Sequence, residues 1–175
     1  MRSVPRLEHV GLRSSLCGWF QLLRQLGQLL DRRPPRSIRY AYDFVMPVGT
    51  IVTAARAGIV AEIRMKFRDG QSGEGESNWV KIRHVDNTIA AYSHLTERGA
   101  LVKPGDRVEA GQAIGLSGNS GNTGGLPHLH FHLCPCDEPV DCGTLPTTFR
   151  NTDPNPDGLL TRRNYLALPL TKPGA

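Results

Sequence analysis

From residue 40 to residue 150 the chain sustains no helical repeat. Its apolar residues come in short β-prone runs, and turn pairs separate them at Asp86-Asn87, Pro104-Gly105 and Ala110-Gly111. A helix needs a longer uninterrupted stretch, so this region has to bury its apolar side chains through paired strands. The runs predict strands over 51–54, 58–67, 79–84 and 89–94, and short strands around two turns within 101–118. A last one is expected at 147–150. Within 79–84, Val80 and Ile82 alternate with Lys81 and Arg83, the pattern of a strand with one wet face. RDGQSGEGES (68–77) and GNSGNTGG (118–125) are loops, and NTDPNPDG (151–158) is a turn-rich connection. The expected architecture is mainly β and antiparallel. The 175 residues suffice for one domain with appendages.

The flanks differ in texture. Residues 1–39 carry eight arginines and no lysine against Glu8 and Asp31, a local +6, while the whole chain carries +5. The basic character therefore belongs to this arm, and no aromatic interleaving or motif accompanies it to suggest nucleic acid. In LCGWFQLLRQLGQLL (16–30), Gln21, Arg24, Gln25 and Gln28 lie opposite Leu16, Trp19, Phe20, Leu23, Leu26 and Leu30. This predicts an amphipathic helix, packed on the domain or lying at a membrane surface. The segment is too short and too interrupted to cross a bilayer. No small-x-small cleavage site marks it as a signal peptide. DRRPPRSIR (31–39) reads as a linker. The expected division is an arm over 1–39, a domain over 40–150 and an extension over 151–175. Cys17 stands alone, whereas Cys134, Cys136 and Cys142 cluster in CPCDEPVDC. A disulfide or thiols suit the cluster better than a structural zinc site, because the segment lacks a fourth ligand at customary spacing.

Three of the six histidines fall at alternate positions in GGLPHLHFHL (124–133). On a strand His128, His130 and His132 share one face and Leu129, Phe131 and Leu133 the other. An H-x-H pair can bind a metal with both rings, or bind with one and move protons with the other. His94 ends a β-prone run in AAYSHL; alone, such a position is more often structural than catalytic. His84 reads as structural, and His132 as either a support for His130 or an exposed ring. His9 sits in the arm without an evident partner. Asp43, between Tyr42 and Phe44, is the best carboxylate candidate, because a buried acid there needs a charged or metal partner.

Taken in order, YDFVMPVGTIVTAARAGIV, VKIRHVDNTIAAYSHL and VKPGDRVEAGQAIGLSGNSGNTGGLPHLHF resemble the lysostaphin-like (LytM-type) zinc metalloendopeptidases, which cut peptidoglycan cross-bridges. The resemblance runs from about residue 40 to 133. It implies a compact antiparallel β-sandwich, related to barrel-sandwich carrier domains, with a groove for a peptide. It also implies a Zn2+ cofactor, with Asp43 and His130 matching zinc ligands. His94 and His128 match the histidines that polarise the attacking water and steady the oxyanion. The substrate implied is a peptidoglycan peptide or another peptide, and the location the cell envelope, periplasm or exterior. Gly118, Gly121, Gly124 and Gly125 would turn the loop into the histidine strand at angles other residues resist.

Two positions depart from the family's pattern. In H-x-x-x-D the histidine is the remaining zinc ligand, and here Arg39 stands in its place. Arginine stays charged and cannot ligate a cation. No histidine lies between His9 and His84. Either His9 folds back, another side chain substitutes, or the site is degenerate. The position after H-L-H-F, usually acidic, carries His132. The sequence therefore leaves a zinc endopeptidase beside an alternative, a non-catalytic peptidoglycan-binding or regulatory module of the same fold. A lipoyl carrier is excluded because the turn in GDRVEAGQ lacks the lysine that would be modified.

Overall fold

The structure is a computed structural model. It describes residues 38–73, 75–135, 143–160 and 164–166, and the backbone of two more strands in the arm. Expectations for His9, Cys17, Cys136, Cys142 and most of the linker lie outside the described residues. In chain order the strands are β1 (Arg6–Leu7), β2 (Trp19–Leu23), β3 (Tyr42–Val45), β4 (Ile51–Thr53), β5 (Gly58–Arg64) and β6 (Trp79–Arg83). They continue with β7 (Ile89–Ser93), β8 (Leu95–Ala100), β9 (Arg107–Val108), β10 (Ala113–Ser117), β11 (His128–Cys134), β12 (Thr148–Phe149) and β13 (Asn164–Leu166). Among the described residues there is no helix.

Eight strands form one antiparallel sheet in the order β13-β2-β3-β11-β7-β6-β5-β9, and β4-β10-β8 form a second. β1 and β12 make a separate parallel pair. Side chains from both sheets share one core. Phe44, Val80, Ile82, Tyr92 and Phe131 come from the large sheet, Val52, Leu95 and Ile114 from the small one, and all are almost wholly buried. The mainly antiparallel β class read from the turn punctuation is the class observed. The turns also fall where expected. Gly105 and Gly111 take φ of +90° and +78°, and Asn87 takes +62° in the β6–β7 hairpin, conformations that Gly and Asn adopt most readily.

One expectation is corrected. Trp19–Leu23, inside the segment expected to be helical, is extended and adds to the free edge of β3, pairing Gln21 with Val45 and Leu23 with Asp43. Short apolar runs do not distinguish helix from strand. Trp, Phe and Leu suit a sheet, and an unpaired edge offers backbone hydrogen bonds that a short isolated helix must do without. The rest of 16–30 lies outside the described residues.

β11 sits in the middle of the large sheet with β3 on one side and β7 on the other, and all seven of its residues are buried. Alternation sends Leu129, Phe131 and Leu133 into the core. There Phe131 packs against Tyr92 and Phe149, with ring centroids 5.2 and 6.1 Å away. The other face of β11 carries the histidines.

Candidate functional site

β3 and β11 pair in a register that sets Asp43 opposite His130 and Val45 opposite His128. On β3, Tyr42 and Phe44 enter the core, so Asp43 points to the histidine face. Its Oδ1 lies 2.8 Å from Nδ1 of His130 and 3.7 Å from Nε2 of His128. Asp43, His128 and His130 are all buried. A buried carboxylate is retained only with partners of this kind.

His94 arrives from the end of β7, where the chain turns sharply into β8. Its φ of +63° is a left-handed conformation that a side chain other than glycine adopts at a cost. The turn brings the His94 ring to within 4.7 Å of the His128 ring and 5.8 Å of the His130 ring, between centroids. Its Nδ1 lies 2.7 Å from the carbonyl oxygen of Ser120. A carbonyl only accepts, so Nδ1 carries the proton and Nε2 is left with a lone pair. The same argument applies to His128, whose Nδ1 is 2.8 Å from the carbonyl oxygen of Leu126. Burial, with His128 and His130 adding to it, pushes the His94 pKa down to about 4. At neutral pH His94 is an uncharged proton acceptor.

The loops that deliver these carbonyls are pinned. Asn78, wholly buried, receives a hydrogen bond from Phe67 N–H and donates to the carbonyls of Phe67 and Leu95. The Ser120 hydroxyl accepts from Asn78 N–H at 3.0 Å and donates to the Leu95 carbonyl at 2.7 Å. Ser77 Oγ accepts from the backbone N–H of His94 at 3.1 Å. Of the loop glycines, Gly121, Gly124 and Gly125 have positive φ as anticipated. Gly118 does not; it is required because a Cβ there would collide with the backbone of Leu95 and Thr96.

His132 is buried, and its Nδ1 is 3.1 Å from Nε2 of His130. Of its two expected roles, support for His130 or plain exposure, the second is ruled out. Burial first, then the neighbouring His130 and Lys81, push its pKa down to about 3. His84 lies apart from the site, with Nδ1 on the Ala57 carbonyl at 2.9 Å, as a structural histidine would. Arg39 is exposed, and Cys134 is buried at the end of β11 with its sulfur 3.5 Å from the Ile89 carbonyl.

The model of peptidase family M23 matches residues 37–142, a span that contains Asp43, His94, His128 and His130. The chain belongs to this family. The chain is 40% identical over 99 residues to the peptidoglycan DD-endopeptidase ShyA of Vibrio cholerae, an alignment covering 57% of this chain and 21% of that protein. The chain spans about a fifth of the length of the curated relatives it matches first. Among solved structures it is similar to lysostaphin from Staphylococcus simulans, with 28% identity and a TM-score of 0.53 over 73% of this chain and 47% of that one. It is also similar to a zinc containing peptidase from Vibrio cholerae, with 27% identity and a TM-score of 0.51 over 74% and 37% of the two chains.

Zinc takes carboxylate oxygen and imidazole nitrogen as ligands. Asp43 Oδ1 and His130 Nδ1 are adjoining donors of those two kinds, so the pair fits the ion as two of its ligands. Among the described residues, no group of three or more His, Cys, Asp or Glu side chains is arranged to hold a metal. Ser77, Asn78, Ser120 and the Leu126 carbonyl escaped the sequence reading. The G-N-S-G stretch was legible as a loop, but a carbonyl that orients a ring leaves no mark on residue type.

Proposed function

We propose that residues 40–150, which hold most of the stretch matched to family M23, are the peptidase domain of a zinc-dependent endopeptidase of the cell envelope that hydrolyses peptide bonds in peptidoglycan cross-links. The observation that carries this reading is the convergence of Asp43, His94, His128 and His130 on one site, with Asp43 Oδ1 and His130 Nδ1 2.8 Å apart. The match to relatives that include a peptidoglycan DD-endopeptidase supports it.

Asp43 and His130 are the residues that would hold zinc. Zinc, when bound, supplies a water that is nucleophilic near neutral pH and polarises the scissile carbonyl. His94 and His128 handle the proton. Each has Nδ1 committed to a backbone carbonyl, so each offers Nε2 as the acceptor. A ring that has taken the proton from the nucleophile presents N–H to the developing oxyanion and delivers the proton to the leaving amine. Because Ser120 and Leu126 already fix both tautomers, neither ring has to reorganise when it acts.

A second reading, a non-catalytic peptidoglycan-binding or regulatory module, is favoured by one observation. The position at which the resemblance calls for a histidine ligand carries the exposed Arg39. The two readings separate in one assay, the release of new amino termini from purified peptidoglycan by the full chain. The peptidase reading expects release by the wild type and its loss in His128→Ala. Binding to peptidoglycan with no release by the zinc-supplied wild type would establish the module instead.

A further inference from the structure

His132 takes no part in the proton handling, yet the fold places a second imidazole directly behind His130. It lies two positions further along β11 on the same face, and β7 opposes the two rings with the small residues Ser93 and Ala91. Its Nδ1 is 3.1 Å from Nε2 of His130, while its own Nε2 is buried and has no hydrogen-bond partner among the described residues. A buried ring nitrogen without a partner costs stability. An apolar residue of similar size would avoid that cost, so packing alone does not account for a histidine here.

We propose that His132 is a positioning residue for His130: by holding Nε2 of His130, it obliges the ring to turn Nδ1 toward Asp43. The inference deepens the zinc reading and rests on it for its consequence. Asp43 Oδ1, the two nitrogens of His130 and Nδ1 of His132 form a line that admits two proton arrangements. With the His130 proton on Nδ1, the ring donates to Asp43, and its Nε2 accepts from Nδ1–H of His132. With Nδ1 given to a cation, the proton sits on Nε2 and His132 Nδ1 accepts it. A neutral imidazole serves both arrangements, because either of its nitrogens can carry the proton. A carboxylate at this position would serve only the second. His132 therefore keeps His130 oriented before and after a cation arrives, as partners behind metal-bound histidines do.

The test compares the full-length wild type with His132→Gln, which can still donate or accept, and His132→Leu, which can do neither. Zinc affinity is read by competition with a chromophoric chelator. The His130 tautomer is read in the zinc-free protein from the nitrogen shifts of the ring. In His132→Leu zinc binding should weaken about tenfold to a hundredfold, whereas His132→Gln stays within about threefold of the wild type. The His130 ring should hold one tautomer in the wild type and in His132→Gln, and become a mixture in His132→Leu. Equal affinities in all three proteins, or a tautomer unchanged in His132→Leu, overturn the inference. If the wild type takes up no zinc, the zinc reading fails by itself and the tautomer measurement alone decides on His132. If His132→Leu does not fold, the wild type decides through nitrogen–nitrogen coupling across the His130–His132 hydrogen bond. Coupling supports the inference and its absence overturns it.

Discussion

Asp43 and His130 stand 87 positions apart in the chain and meet at 2.8 Å, because β3 and β11 are neighbours and pair in a register that sets one opposite the other. A slip of one residue would send Asp43 into the aromatic core and bring Tyr42 or Phe44 to the histidine face. Tyr42 and Phe44 guard against that slip. Both pack edge-on against Phe149, with centroids 5.1 and 5.9 Å away, so the core that holds the sheet also holds the site's register.

His94 and His128 are expected to be separable from the metal. Replacing either by alanine should leave zinc content unchanged and lower peptide-bond cleavage by about 10²- to 10⁴-fold, the usual contribution of a positioned acid or base. Measuring cleavage rate and zinc content on the same preparations checks this. Loss of zinc along with activity would make these rings ligands.

Arg39→His should tighten zinc binding by about tenfold or more, since a third protein ligand would join a site otherwise built on two. Chelator competition measures it. An unchanged affinity would mean that position 39 does not reach the ion and that the resemblance misaligns there.

Asn78→Ala removes the side-chain hydrogen bonds to Phe67 N–H and to the Phe67 and Leu95 carbonyls. With Asn78 wholly buried, the orphaned groups should destabilise the fold by about 2–4 kcal/mol. Chemical denaturation reads this loss. Because the Asn78 amide and the Ser120 hydroxyl both donate to the Leu95 carbonyl, cleavage should fall further than the unfolded fraction explains.

Acid should destabilise the protein through its buried neutral histidines. Burial lowers the His84 pKa from 6.5 to about 4. The unfolded chain therefore binds that proton more readily than the folded one. The stability at stake is present in full above pH 6.5, declines as pH falls through the window to 4, and then levels off, a loss of roughly 3 kcal/mol. His94 and His132 act in the same direction. The urea midpoint should drop between about pH 7 and about pH 4.5, and drop less in His84→Gln. Equal drops would contradict the assignment to His84.

Local chemistry was the legible part. The alternation of HLHFHL around β11, the turn at Asp86-Asn87 and the positive-φ glycines follow from single residues and their neighbours. The partnership of Asp43 with His130 does not, because it depends on strand order and register. The ordered likeness to the LytM-type family pointed to it instead. Trp19–Leu23 is a strand because the edge of β3 is available, a fact absent from those five residues. Asn78, Ser77 and Ser120 act through backbone groups of distant loops, and β8 begins directly after the left-handed His94, where no turn residue announces it.

The role proposed for Asp43 and His130 is to hold a zinc ion on which the chemistry depends. It is tested most directly by counting zinc in the purified full-length protein after zinc supply and removal of the excess. About one ion per chain is expected in the wild type and almost none in Asp43→Asn or His130→Ala. A folded wild type that retains no zinc, or variants that retain as much as the wild type, would contradict it.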